Sequence, residues 1–296
     1  MTTPNPNPNA DDRPLGRQGF GSMRLRPGPS SEDRDPVTVL RTALDLGITM
    51  IDTADAYQNE ELVGRAIAGR RDEVLLATKF GLVWTAGIAG DFEVRADPKY
   101  VHQACESSLR RLGVDVIDLY YLHHRSDQVP IEATVAAMAE LVAQGKVLRL
   151  GLSNVTPDDL RRAVAVHPIA ALQHEWSLAE RDLERELLPA ARELGVTVVA
   201  HSPMGHGSLH GTSSAASLVP NDVIRALAGI ATDHDASVGQ IALAWVHHRG
   251  RVHQVPVVPL PGTTSVAHLR ANVAAADITL SDVELRRLDV VTDGHG

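Results

Sequence analysis

The chain of 296 residues contains one cysteine, Cys105, so no internal disulfide can form, and no CxxC pair supplies a redox or metal motif. That usage suits a reducing compartment, and the cytoplasm is the expected location. Aromatic residues are only 3% of the chain, with 3 Phe, 3 Trp and 4 Tyr. The core must therefore be built from Ala, Val, Leu and Ile, and each aromatic has a raised chance of standing at a site. No run of five basic residues occurs, and the formal net charge is -9, from 28 Lys and Arg against 37 Asp and Glu, which argues against a nucleic-acid partner. No apolar stretch reaches the roughly 18 residues of a membrane span. The opening MTTPNPNPNADD has neither the basic nor the apolar region of an export signal, so a soluble, unexported protein is expected. A dinucleotide fingerprint is missing as well: GFG at 19–21 would need a third glycine at 24, where Arg24 stands.

What is present is globular: 44% hydrophobic and 22% charged residues can bury a full core. Alternating Pro and Asn at 4–9 can neither form a helix nor pair as a strand, so residues 1–13 read as a flexible tail and 14–296 as one domain. From there β-branched or Leu-rich runs at 17–22, 48–53, 74–79, 117–122, 147–152, 170–175, 197–202 and 255–260 alternate with amphipathic stretches. Asp35-Pro36, Asp97-Pro98 and Thr156-Pro157 each pair a capping side chain with proline at the first helical position, and Gly47, Gly145 and Gly195 read as helix stops. Eight strand-helix repeats predict an α/β fold closed as a single eight-stranded β/α (TIM) barrel. Two irregular stretches, 80–97 and 203–220, each follow a strand and are expected over the barrel mouth.

Reactive groups in such a barrel sit where strands end. The second strand ends in Asp52, with Tyr57 in the loop beyond it; the third ends in Lys79 and the fourth leads to His123. An unpaired charge ending an apolar run such as VLLATK would be costly. Asp52, Tyr57, Lys79 and His123 together form a proton-delivery set. Lys79 would favour the Tyr57 phenolate, Asp52 would hold Lys79, and His123 would orient a substrate oxygen. His201, His206 and His210 suggest a metal, but their loop offers neither a fixed face nor a carboxylate pattern, and no metal is expected.

GITMIDTADAYQNEELVG at 47–64, ATKF at 77–80, DLYYLHHRSD at 118–127, GLSNV at 151–155, ALQHEWSL at 171–178, AHSPMGHG at 200–207 and PGTTSVAHLRANVAA at 261–275 resemble, in order and spacing, the motifs of the aldo-keto reductases. The nearest flavour is similar to bacterial members on the side of pyridoxal reductases and potassium-channel β subunits. The resemblance implies NADPH-dependent reduction of a small aldehyde or ketone, with the catalytic tetrad at Asp52, Tyr57, Lys79 and His123. It places His123 rather than His124 in the tetrad, five residues after Asp118. It implies NADPH lying across the barrel mouth against Met23, Asp52, Ser153, Asn154, Gln173, His201, Ser202, Pro203, Met204, Gly205 and His206. At the far end it implies Gly262, Thr264, Ser265, His268 and Asn272. Met23, Tyr57, Trp84, His123 and Trp176 are the expected substrate pocket. Three positions depart from the pattern: Gln58 for Gly, His201 for a stacking Tyr or Phe, and Ala271 for Glu. With no fixed cation in TTSVAH, Arg270 is the expected 2′-phosphate ligand, and NADPH preference is expected to be modest, with some NADH use. The alternative is a nucleotide sensor that binds cofactor without turnover, as the channel β subunits imply.

Overall fold

Apolar strands joined by amphipathic helices bury both faces of a parallel sheet only when the helices cover it, and eight such units can close the sheet on itself. The computed structural model describes residues 13–28, 31–85, 91–210 and 219–293. Parallel strands β1 (Gly19–Gly21), β2 (Met50–Asp52) and β3 (Leu75–Phe80) lead off the barrel. An antiparallel hairpin, β4 (Leu82–Trp84) with β5 (Phe92–Val94), follows. The barrel then continues through β6 (Ile117–Leu122), β7 (Val147–Ser153), β8 (Ile169–Glu175), β9 (Thr197–His201) and β10 (Val257–Leu260). Sheet order is β1-β2-β3-β6-β7-β8-β9-β10, and the Gly21 N–H donates to the Pro261 carbonyl at 3.1 Å across the seam. All eight barrel strands fall within two residues of the sequence reading. The stretch at 80–97 differs, because it contains the hairpin. Residues 1–12 of the expected tail and 211–218 of the second irregular stretch lie outside the described residues. Arg13, assigned to that tail, donates to Asp118 at 2.8 Å.

Helices α1 (Pro36–Asp45), α2 (Glu60–Ile67), α3 (Pro98–Leu112), α4 (Ile131–Ala143) and α5 (Pro157–Val166) wrap the first half. The second half carries α6 (Leu187–Glu193), α7 (Asn221–Asp233), α8 (Val238–His253), α9 (Val266–Ala274) and α10 (Asp282–Asp293). The predicted caps form: Asp35 accepts from Thr38 N, Asp97 from Tyr100 N, and Thr156 makes a reciprocal capping box with Asp159. No helix among the described residues is long and apolar enough to cross a membrane.

Strand alternation sorts the core. Ile51, Leu76, Tyr120 and Leu172 pack outward against the helices, whereas Met50, Leu75, Ala77, Leu119, Ala171, Val199 and Val258 fill the barrel interior. Continued by two residues, the inward register places Asp52 above Met50, Lys79 above Ala77, Gln173 above Ala171 and His201 above Val199. Thus the pattern that fills the barrel with apolar groups also delivers polar ones to its mouth. Gly151 makes room for this packing, since a Cβ there would lie 2.4 Å from the Tyr121 ring.

Gly64 in α2 is a second close approach, because a Cβ would sit 2.2 Å from the Leu112 carbonyl oxygen at the end of α3. Alanine ordinarily improves a helix by about 0.8–1.0 kcal/mol over glycine. Here Gly64→Ala is expected to destabilise by about 1–3 kcal/mol through overpacking. Urea unfolding checks the sign, and a raised midpoint would contradict the α2–α3 contact.

Candidate active site

Asp52 ends β2 and Lys79 lies near the end of β3, and at 2% and 1% exposure both charges are sealed from water. Such a pair persists only if its hydrogen-bonding capacity is met. One Asp52 oxygen receives the Lys79 ammonium, and the other accepts from Gln173 Nε2 at 2.9 Å. Lys79 Nζ also donates to the Thr53 carbonyl at 3.0 Å and to the Tyr57 hydroxyl at 3.4 Å. An ammonium has three protons, and here three acceptors surround it. The Tyr57 oxygen is therefore an acceptor toward Lys79, which leaves its own proton free to point into the cavity.

Tyr57 stands on a short 3-10 turn, Asp55–Tyr57, ended by Gln58 in a left-handed conformation at φ 56°. The glycine this backbone favours is absent, but the turn is held on both sides. Buried Asn59 accepts from Thr53 Oγ1 at 2.6 Å and donates to the Ser22 carbonyl at 2.8 Å, tying the Tyr57 loop to the end of β1. Trp84 of the hairpin donates to the Ala56 carbonyl at 3.0 Å. Trp84 and its stretch were expected at the barrel mouth, but Asn59 was not identified from sequence, nor was the hairpin that carries Trp84. The Asn-Glu ending of the Tyr57 motif was the available signal for Asn59.

Burial sets the protonation states. It raises Tyr57 above the ordinary phenol value; Lys79 pulls the other way and Asp52 and Asp55 add to the rise. Lys79 thus favours the Tyr57 phenolate in the direction expected, but desolvation outweighs the ammonium. Burial works against the Lys79 charge, yet Asp52 and Tyr57 hold its pKa above the ordinary value, so the ammonium persists at neutral pH. Burial raises Asp52, opposed by Lys79 and Gln173. Asp55, beneath the Tyr57 turn, is pushed up to about 7 by burial and by the Glu60 carboxylate. His123 is held well below its usual value by burial and then by Lys79, and is neutral at pH 7. Its ring meets Tyr57 edge-on at 5.6 Å. His124 turns away, its Nδ1 3.0 Å from the Arg125 carbonyl and its ring against Phe92.

Asp52, Tyr57 and His123 floor a cavity of about 510 Å3 that runs across the barrel mouth to the start of α9. Met23, Asp52, Tyr57, Trp84 and His123 line its near part; Ser153, Asn154, Gln173 and His201 stand beside them. Ser202, Pro203, Met204 and His206 follow along the loop after β9, and Gly262, Thr264 and His268 close the far end. In that loop Ser202 Oγ lies 3.2 Å from His201 Nδ1 and 3.3 Å from His206 Nδ1, while His206 Nε2 is 3.0 Å from Glu175. Burial, then Lys79, brings His201 down to about 3.

Five of the expected cofactor and substrate residues are not in the cavity wall. Trp176 is fully buried, packed edge-on against Trp245 and donating to Glu184 at 2.9 Å, because the chain after β8 turns its indole into the helix layer. Gly205 is buried behind its loop, and Asn272 is buried on α9. Ser265 is spent as the α9 cap. Arg270 is exposed and does not reach the cavity, whereas Arg24 and Arg34, both passed over in the sequence, do line it. Two arginines on the wall suit an elongated anionic ligand, and Arg24 also donates to the His206 carbonyl at 3.0 Å. Among the described residues no group of three or more His, Cys, Asp or Glu is placed to hold a metal ion.

A family model described as the aldo/keto reductase family matches residues 18–293. A curated relative, a probable aldo-keto reductase 1 from Glycine max, is 39% identical over 298 aligned positions, spanning 93% of this chain and 84% of the relative. An aldo/keto reductase from Klebsiella pneumoniae solved with NADP and acetate is 34% identical with a TM-score of 0.75, over 94% of this chain and 92% of that one. A glycerol dehydrogenase from Gluconobacter oxydans superposes with a TM-score of 0.84 at 28% identity, over 97% of this chain and 94% of that one.

The balance of burial against Lys79 is open to direct titration. Ultraviolet difference spectra between the wild type and Tyr57→Phe isolate one phenol. Its ionisation is expected above the ordinary tyrosine value of about 10. A midpoint below that value in the unliganded protein would overturn the assignment of desolvation as the dominant effect.

Proposed function

The chain belongs to the aldo/keto reductase family, and on that premise we propose that it reduces an aldehyde or ketone to the alcohol with NADPH, Tyr57 delivering the proton. When bound, the cofactor supplies the hydride that adds to the carbonyl carbon. Tyr57 gives its hydroxyl proton to the carbonyl oxygen as the carbon–oxygen double bond becomes single. An alkoxide is far more basic than a phenolate, so a tyrosine that holds its proton at neutral pH still delivers it. Lys79 then stabilises the phenolate left behind, and Asp52 keeps the ammonium charged and in place. Neutral His123 orients the substrate oxygen toward Tyr57. Ser153, Asn154 and Gln173 supply polar groups that suit the nicotinamide carboxamide, and His201 offers a flat neutral ring beside it.

The observation that carries this reading is the Tyr57 hydroxyl 3.4 Å from a buried, carboxylate-held ammonium at the floor of the cavity. NADP bound to the Klebsiella pneumoniae relative supports the choice of cofactor, as do Arg24 and Arg34 on the wall. A modest preference over NADH, not a strict one, fits a far end whose ligands are Thr264 and His268. Met23, Leu82 and Trp84 give the entrance an apolar rim, which suits small uncharged carbonyl compounds.

Cofactor oxidation with a panel of aldehydes, pyridoxal first, tests the activity. Cofactor binding without turnover of any carbonyl would instead support a sensor. Tyr57→Phe is expected to lower turnover by at least about 100-fold, the usual contribution of a general acid, with cofactor affinity near normal. Near wild-type reduction by that variant would remove Tyr57 from the chemistry.

A further inference from the structure

The cavity has two chemically different ends. Hydride transfer must occur beside Tyr57 and His123, so an extended dinucleotide reaching across the mouth brings its adenosine half to the start of α9. There the backbone amides of a helix N-terminus and the Arg34 side chain would welcome a phosphate. One of those amides, Ala267 N, is already engaged by a carboxylate. Asp33, exposed on the short turn Glu32–Arg34, places its carboxylate on the α9 start. Asp33 Oδ2 accepts from Ser265 Oγ at 2.9 Å and Oδ1 accepts from Ala267 N at 3.2 Å. Ser265 and Ala267 are flanked by Thr264 and His268, which line the cavity, and Arg34 beside Asp33 lines it too. The carboxylate is thus a built-in anion at the end of the cavity where NADPH and NADH differ, by a 2′-phosphate against a 2′-hydroxyl.

We propose that Asp33 is a specificity-determining residue for the cofactor: its clasp on Ser265 and Ala267 disfavours the 2′-phosphate of NADPH and tolerates the 2′-hydroxyl of NADH. This rests on the reductase reading above. A phosphate dianion placed at the α9 start meets a like charge, and the clasp must open for it to reach the amides. A hydroxyl brings no charge and can donate to the same carboxylate. Asp33 therefore narrows a preference that Arg24 and Arg34 would otherwise make larger.

The test is equilibrium binding without carbonyl substrate: calorimetric titration of NADP+ and NAD+ into the wild type, Asp33→Asn and Asp33→Glu. Asp33→Asn removes the charge at nearly constant size. It is expected to tighten NADP+ by about three- to tenfold, the scale of a charge at a helix terminus, and to leave NAD+ unchanged or weaker. Asp33→Glu keeps the charge and is expected to keep the wild-type ratio. An unchanged ratio in Asp33→Asn, or equal tightening of both dinucleotides, would overturn the proposal while leaving the reductase reading intact. Binding of neither dinucleotide to the wild type would overturn both.

Discussion

Two opposite charges buried in the floor of a barrel are the constraint around which this site is arranged. Desolvating a carboxylate or an ammonium costs several kcal/mol even in a relaxed protein, so Asp52 and Lys79 persist only because each satisfies the other and both are further hydrogen-bonded. Gln173 from β8 and the Thr53 carbonyl complete that shell. The third proton of Lys79 is left for Tyr57, and the tyrosine's position follows from that need as much as from its own loop. The cost of the pair is local. Directly below it, Met50, Ala77, Ala171 and Val199 pack as apolar side chains.

The same pair explains the neutrality of its neighbours. Burial and the Lys79 charge act in the same direction on His123 and His201, keeping both rings uncharged. On Tyr57 they act in opposite directions and burial prevails. The proposed function asks for this pairing, a neutral imidazole beside a protonated phenol.

The barrel, and the meeting of Asp52, Tyr57, Lys79 and His123 at its mouth, were legible because they follow from periodic pattern and local chemistry. ITMID and VLLATK announce their end charges, and each Asp-Pro or Thr-Pro start becomes a real cap. Loops were less legible because tertiary contacts decide them. The β4–β5 hairpin lies in a stretch read as irregular, and it gains its place by packing Trp84 against Phe92 and donating to the Tyr57 turn. Trp176, one residue past a strand end, looked like a pocket residue, but the chain's turn there sends it to Trp245. Arg270 looked suited to a phosphate from its place in a motif. Arg34, 230 residues before Thr264 in sequence, carries no local signal that it reaches the same cavity. Asp33 is hidden for the same reason, since its partners Ser265 and Ala267 are remote in the chain.

In the proposed function, the Lys79 ammonium, held by Asp52, makes Tyr57 an effective acid. Carbonyl reduction by Lys79→Met, measured at neutral pH with cofactor affinity and thermal unfolding followed on the same sample, tests it most directly. The account predicts a folded variant that binds cofactor and loses at least about 100-fold in turnover. Reduction at the wild-type rate by that folded variant would contradict it.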